Sequence, residues 1–214
     1  MKHTILWDLD GTLTDPMQGI TRSVQYALRA FSIDEPDLTK LCPFIGPPLI
    51  ESFREFYGFS ESDAQKALLK YREYFSEKGI FDNEVYPGIP NLLERLCAKG
   101  YTLAVATCKP TVFAQRILNH FDLERFFTVT IGSELDGTRI HKNEVIACAL
   151  EQLGTKPSAA WMVGDRRYDI CGAKENGLSS VGVLYGYGSR EELEEAGADR
   201  IAATVEDLTL LFEI

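Results

Sequence analysis

The arrangement of short apolar runs constrains this chain most. Ile5-Leu6-Trp7, Tyr101-Thr102-Leu103-Ala104-Val105-Ala106 and Ala160-Trp161-Met162-Val163 each stop abruptly at polar residues. That is the pattern of a strand buried on both faces, with its carboxyl end left for function. Phe127-Thr128-Val129-Thr130-Ile131 and Ser180-Val181-Gly182-Val183-Leu184 add two further runs, and Arg200-Ile201-Ala202-Ala203 a short edge. Helical spacings lie between them: Ile89, Leu92, Leu93 and Leu96 closing at Gly100, then Val145, Ile146, Ala149, Leu150 and Leu153 closing at Gly154. Each glycine stands where a helix C-terminus turns left-handed. Ser189-Arg190-Glu191-Glu192 reads as a capping box opening another helix. Strands alternating with helices predict an α/β fold with a doubly wound parallel sheet. Such sheets take ligands at the carboxyl ends of their strands.

The stretch from about Asp15 to Val85 breaks the rhythm. Ile20, Val24, Ala27, Leu28 and Phe31, then Leu49, Ile50, Phe53 and Phe56, then Ala64, Ala67, Leu68, Tyr71 and Phe75 all fall at helical spacing. A helices-only segment between the first strand and the rest of the sheet predicts an inserted all-helical domain over 15–85. The α/β core then comprises 1–14 and 86–214. Phe53, Phe56 and Tyr57 are expected in the core of that insert, with a dimer face as the alternative.

Composition narrows the function. A chain of 214 residues, 45% hydrophobic and 25% charged, buries a full core. Its 32 acidic and 22 basic residues give a formal charge of −10, which repels phosphate backbones and argues against a nucleic acid polymer as partner. Asp8 follows Met1-Lys2-His3-Thr4-Ile5-Leu6-Trp7 too closely for a signal-peptide core. No stretch approaches the roughly 20 apolar residues of a membrane span. A cytoplasmic protein is expected, monomeric or homodimeric, with no membrane partner. The cysteines, 5 in number and never in a C-x-x-C pair, are expected as reduced thiols.

The chemistry is concentrated where strands end. Asp8-Leu9-Asp10-Gly11-Thr12 closes the first strand and Gly164-Asp165-Arg166-Arg167-Tyr168-Asp169 a later one. Carboxylates at i and i+2 on extended chain point the same way and repel unless a cation or shared proton compensates. If the two strands are neighbours, Asp165 and Asp169 face Asp8 and Asp10. Hard oxygen donors of that kind favour magnesium over zinc or copper. Taken singly, each motif also fits a plainer reading: an Asp-rich turn at Asp8–Thr12, a helix N-cap at Asp165. Thr107, at the end of the middle strand, can offer a hydroxyl and nearby amides to phosphoryl oxygens, and Lys142, opening a helix, a positive charge beside an anion-attracting helix N-terminus.

These motifs, in this order, resemble those of the haloacid dehalogenase superfamily, from Asp8 to at least Asp169. The helical insert resembles the cap of the phosphoglycolate phosphatase-like branch, and Tyr86-Pro87-Gly88 that branch's return to the core. The resemblance implies a magnesium-dependent phosphatase acting on small phosphorylated metabolites. Asp8 would be the nucleophile that forms an aspartyl phosphate, and Asp10 the acid and base. The metal would sit with the Asp8 carboxylate, the Asp10 carbonyl, Asp165 and Asp169; Thr107 and Lys142 would bind phosphate. Within the cap, Gly46 and Pro47 of Ile45-Gly46-Pro47-Pro48-Leu49 resemble a specificity loop, and Arg22 and Arg54 are candidate leaving-group contacts. Cys108 replaces the motif's usual Asn. Arg166 and the Leu184-Tyr185-Gly186-Tyr187-Gly188 segment look closer to members described as 5'-nucleotidases. Phosphoglycolate-type acids and nucleoside monophosphates are thus the rival substrates, and a β-phosphoglucomutase-type phosphotransferase is the alternative reaction.

Overall fold

A computed structural model describes residues 3–213; Met1 and Lys2, the start of the segment read above for an export signal, lie outside them. The chain divides into two compact units, Met1–Asp15 with Val85–Ile214, and Pro16–Glu84.

The first unit is built on β1 (Thr4–Trp7), β4 (Thr102–Pro110), β5 (Val129–Ser133), β6 (Ala160–Gly164), β7 (Ser179–Val183) and β8 (Arg200–Ala202). They form one sheet in the order β5-β4-β1-β6-β7-β8, each adjacent pair parallel. The order reverses at β1: the chain builds outward through β4 to β5 and then returns to β1's other side for β6 to β8. A crevice therefore opens at the carboxyl end of β1, between β4 and β6. Every residue of β1 is buried, as a strand covered on both faces requires. Leu6 packs with Ala104, Ile131, Met162 and the inner faces of α6 (Lys142–Leu153) and α7 (Arg167–Glu175).

Local signals placed the helices well. α4 (Ile89–Ala98) turns its Ile89, Leu92, Leu93 and Leu96 inward. α6 ends at Gly154 with φ 60°, a left-handed cap glycine adopts without strain. Ser189 caps α8 (Arg190–Ala196), its hydroxyl accepting from Glu192 N. This unit also holds α5 (Thr111–His120), directly after β4, and α9 (Val205–Leu211). The middle strand runs further than its apolar residues, to Pro110, with its register broken between Ala106 and Pro110.

The second unit contains α1 (Met17–Arg29), α2 (Leu49–Tyr57) and α3 (Glu61–Glu77). α1 and α3 each pack on a short 3-10 turn at Gly79–Phe81. At that turn a methyl on Gly19 would lie 2.0 Å from Gly79 O, so the close approach requires glycine. Phe53 is fully buried, 5.0 Å from the Phe44 ring and 5.8 Å from Phe59. Phe56 differs from expectation: it is 42% exposed, at the edge of the Phe44 ring. Strand-like backbone also reaches the ends of the expected all-helical stretch, where β2 (Thr14–Asp15) and β3 (Glu84–Val85) pair as a two-residue ribbon. Runs this short carry no periodicity to read.

Candidate active site

Asp8 follows the last residue of β1 and keeps its ladder bond, its N–H donating to Val163 O at 2.9 Å. The chain then turns at once: the amides of Leu13 and Thr14 both bond Leu9 O, and Gly11 takes φ 80°. A side chain at Gly11 is excluded twice, by that backbone angle and because its first carbon would stand 2.2 Å from Asp165 Oδ2. Across the crevice, Gly164 ends β6, and a methyl there would lie 2.1 Å from the Asp169 carboxyl carbon. Asp169 sits in the first turn of α7, where its Oδ2 accepts from Arg166 N at 3.1 Å.

Asp8, Asp165 and Asp169, all buried, bring carboxylate oxygens within 4.8 Å of one another. Lys142, opening α6, joins two of them: Nζ lies 2.8 Å from Asp8 Oδ1 and 2.7 Å from Asp169 Oδ1, and it donates to Ala106 O at 3.1 Å. Burial works to discharge Lys142, but the Asp169 and Asp8 carboxylates outweigh it and hold its pKa above the usual lysine range. Asp165 is pushed well above the carboxylate range by burial and then by Asp169 and Asp8. Burial likewise lifts Asp169 to about 6, against the pull of Lys142.

Asp10 does not join this trio. Its Oδ2 pairs with Lys109 Nζ at 2.8 Å, while Oδ1 is buried with no hydrogen-bond partner among the described residues. Its pKa is raised, by burial first and then by Asp8, against the opposing pull of Lys109. The sequence reading saw Lys109 only as the last residue of the Thr107-Cys108-Lys109 motif and gave it no role at the site. The available signal was the i, i+2 spacing from Thr107, since residues two apart on extended chain share a side; the structure buries Thr107 and Lys109 and leaves Cys108 between them half-buried. Thr107, in the same strand, is buried, its Oγ1 accepting from Lys109 N at 3.2 Å.

A second feature, read from the sequence only as a family likeness and without its contacts at the site, is the Tyr185–Gly188 strap. Tyr187 N donates to Asp165 Oδ2 at 2.7 Å, Tyr185 hydroxyl to Thr12 O at 3.1 Å, and the Tyr187 hydroxyl bonds Asp15. Methyls at Gly186 and Gly188 would come within 2.4 Å of Asp165 Cβ and 1.9 Å of its carbonyl oxygen. Only bare backbone fits so close to a buried carboxylate.

The donor set suits a hard divalent cation. Its ligand atoms are all oxygens. With all four ionised, Asp8, Asp10, Asp165 and Asp169 would carry four negative charges against two positive ones on Lys109 and Lys142; one such ion would cancel that deficit and oppose the upward push that crowding and burial give Asp10, Asp165 and Asp169.

The candidate cap residues lie in the helical unit. Arg22 pairs with Asp82 at 2.9 Å and Arg54 with Glu61 at 3.1 Å, all four side chains well exposed. Gly46, at φ 108°, and Pro47 form the turn into α2.

A family model for haloacid dehalogenase-like hydrolases matches residues 5–183. The chain is 53% identical to a 5'-nucleotidase of Pseudomonas aeruginosa over 88% of its own length and 86% of the relative's. It is 39% identical to the tyrosine-protein kinase PtkA of Mycobacterium tuberculosis, over 95% and 70%, and 30% identical to a phosphoglycolate phosphatase of Shigella boydii, over 95% and 90%. Its fold matches the crystal structure of a predicted phosphatase from Clostridium acetobutylicum with a TM-score of 0.97 at 49% identity, each chain covered completely. The buried carboxylate trio, the order of motifs around it and these likenesses agree: the chain belongs to the haloacid dehalogenase-like hydrolase family.

Proposed function

We propose that this hydrolase is a magnesium-dependent phosphatase that cleaves small phosphomonoesters through an aspartyl phosphate on Asp8. The observation that carries the reading is the cluster of Asp8, Asp165 and Asp169 joined by Lys142, with the Asp10–Lys109 pair beside it.

A carboxylate needs no base to act as a nucleophile, so its difficulty is approach to a phosphate of like charge. Lys142, in contact with Asp8, lowers that repulsion, and Thr107 with the amides at the end of β4 would hold phosphoryl oxygens. A bound magnesium ion, held by Asp8, Asp165 and Asp169 with the Asp10 carbonyl, would supply further positive charge against the phosphoryl oxygens. Asp8 attacks phosphorus as the ester bond breaks, and Asp10, its carboxyl kept toward the protonated form by burial, gives its proton to the leaving oxygen. The Asp10 carboxylate then takes a proton from the water that attacks the aspartyl phosphate, which releases phosphate and restores both side chains.

Nucleoside 5'-monophosphates stand first among substrates. The likeness to a protein named 5'-nucleotidase is 53%, against 30% for one named phosphoglycolate phosphatase, and Arg166 and the tyrosine strap already pointed that way. The reaction is assigned to the cytoplasm.

The test is phosphate release from nucleoside 5'-monophosphates, 2-phosphoglycolate and sugar phosphates, with magnesium or EDTA and with Asp8→Asn as control. Release that needs both magnesium and Asp8, with no bisphosphate activator, is expected, and kcat/KM ranks the substrates. Folded protein that releases phosphate from none of them overturns the reading in favour of a mutase or a phosphoryl carrier.

A further inference from the structure

We propose that Lys109 is a positioning residue for proton transfer: its ammonium fixes one oxygen of Asp10 so that the other faces the leaving-group oxygen of the substrate. The inference rests on the phosphatase reading and assigns a role to a residue which that mechanism does not use.

The geometry is specific. Lys109 and Asp10 side chains are only 5% and 11% exposed, and Nζ is 2.8 Å from Oδ2. Oδ1 is buried and makes no hydrogen bond with any described residue. A buried carboxylate oxygen without a donor is costly to keep, so one left unmatched beside a satisfied partner is set for a group that arrives with the substrate. The ion pair also keeps Asp10 out of the carboxylate trio, where its proton would be misdirected.

The backbone that carries Lys109 is itself locked. β4 breaks register between Ala106 and Pro110. Lys109 N donates to Thr107 Oγ1 at 3.2 Å, and the Ser133 hydroxyl to Cys108 O at 2.8 Å. On the neighbouring strand, a methyl at Gly132 would stand 2.2 Å from Lys109 O. A lysine serving only as a diffuse counter-charge needs no such fixed origin, because charge acts over several ångströms whatever the rotamer. An orienting contact does need it, since small misplacement of a catalytic group costs rate steeply.

The experiment compares Lys109→Met and Lys109→Gln with the unaltered protein and with Asp10→Asn, in magnesium. Two esters are used: a nucleoside 5'-monophosphate, whose alkoxide must be protonated to leave, and p-nitrophenyl phosphate, whose phenolate leaves without a proton. kcat/KM covers the steps up to the aspartyl phosphate, and the ratio between esters within one preparation is independent of the folded fraction. Both Lys109 variants are expected to lose about 100-fold on the nucleotide, the scale of general acid catalysis, and less than about 5-fold on the aryl ester, as Asp10→Asn does. Lys109→Met combined with Asp10→Asn is expected to be no worse than Asp10→Asn alone. Equal losses on both esters would overturn the inference in favour of a phosphate contact or a structural charge, as would losses that multiply in the double variant. Asp8→Asn is expected to abolish turnover of both esters; activity that survives it overturns the underlying mechanism instead.

Discussion

Both units of the chain carry basic side chains that the sequence marked as anion contacts, and they end in opposite environments. Lys142 has a side chain 3% exposed and touches two buried carboxylates at 2.7 and 2.8 Å. Arg54 is 54% exposed and meets Glu61, equally exposed, at 3.1 Å. The distances are nearly alike, but their energetic meaning is not. An exposed pair is screened by water and holds two long side chains still for little gain, whereas a buried charge has no substitute partner if its own is removed. Contact distance alone therefore does not separate working cations from solvated ones; burial does.

The comparison breaks first at Lys142. Lys142→Met leaves Asp8 and Asp169 facing each other uncompensated and is expected to destabilise the protein by about 3–5 kcal/mol, read as a fall in the denaturant midpoint measured in EDTA. A change below about 1 kcal/mol would mean that the trio is solvated or protonated enough not to need the lysine.

A smaller effect with an inverted sign sharpens the same point. In EDTA, Asp165→Asn removes one of the crowded carboxylates while its amide oxygen can still accept from Tyr187 N, so the variant is expected to match or exceed the parent's melting temperature by a few degrees, about 1 kcal/mol for a chain of this size. Magnesium at millimolar levels is expected to raise the parent's Tm and leave that of Asp165→Asn unchanged. If magnesium stabilises both equally, Asp165 is not a ligand.

The smallest effect belongs to the helical unit. Arg54→Ala and Arg22→Ala are each expected to change stability by no more than about 0.5 kcal/mol by urea titration. A rise in KM on the nucleotide with little change in stability would give either arginine the leaving-group role that its exposed ion pair does not itself suggest.

How far the sequence could be read follows from the range of the signals. The buried strands and α4 and α6 were legible because their apolar spacing repeats over many residues. Asp8, Asp165 and Asp169 were legible because carboxylates set directly after buried strands must find compensating charge at that end of the sheet. Phe56 was misjudged because its spacing matches that of Phe53 while it lies at the margin of the aromatic cluster. Lys109 was overlooked because a lysine beyond an apolar run looks solvated, and its burial depends on a bulge that carries β4 on to Pro110.

By itself the sequence determined the alternation that yields a parallel sheet, the insertion of a helical unit and the acidic ends of β1 and β6. All of these are local, set by side-chain periodicity and by residues adjacent in the chain. Only the tertiary structure decided that β1 lies between β4 and β6, and with it which charges meet. Lys142 bridges Asp8 and Asp169, Lys109 withdraws Asp10 from that group, and Gly186 and Gly188 close on Asp165. Those pairings join residues far apart in sequence, and the sign and strength of each depend on exclusion of water, a property of the assembled fold that no local pattern encodes.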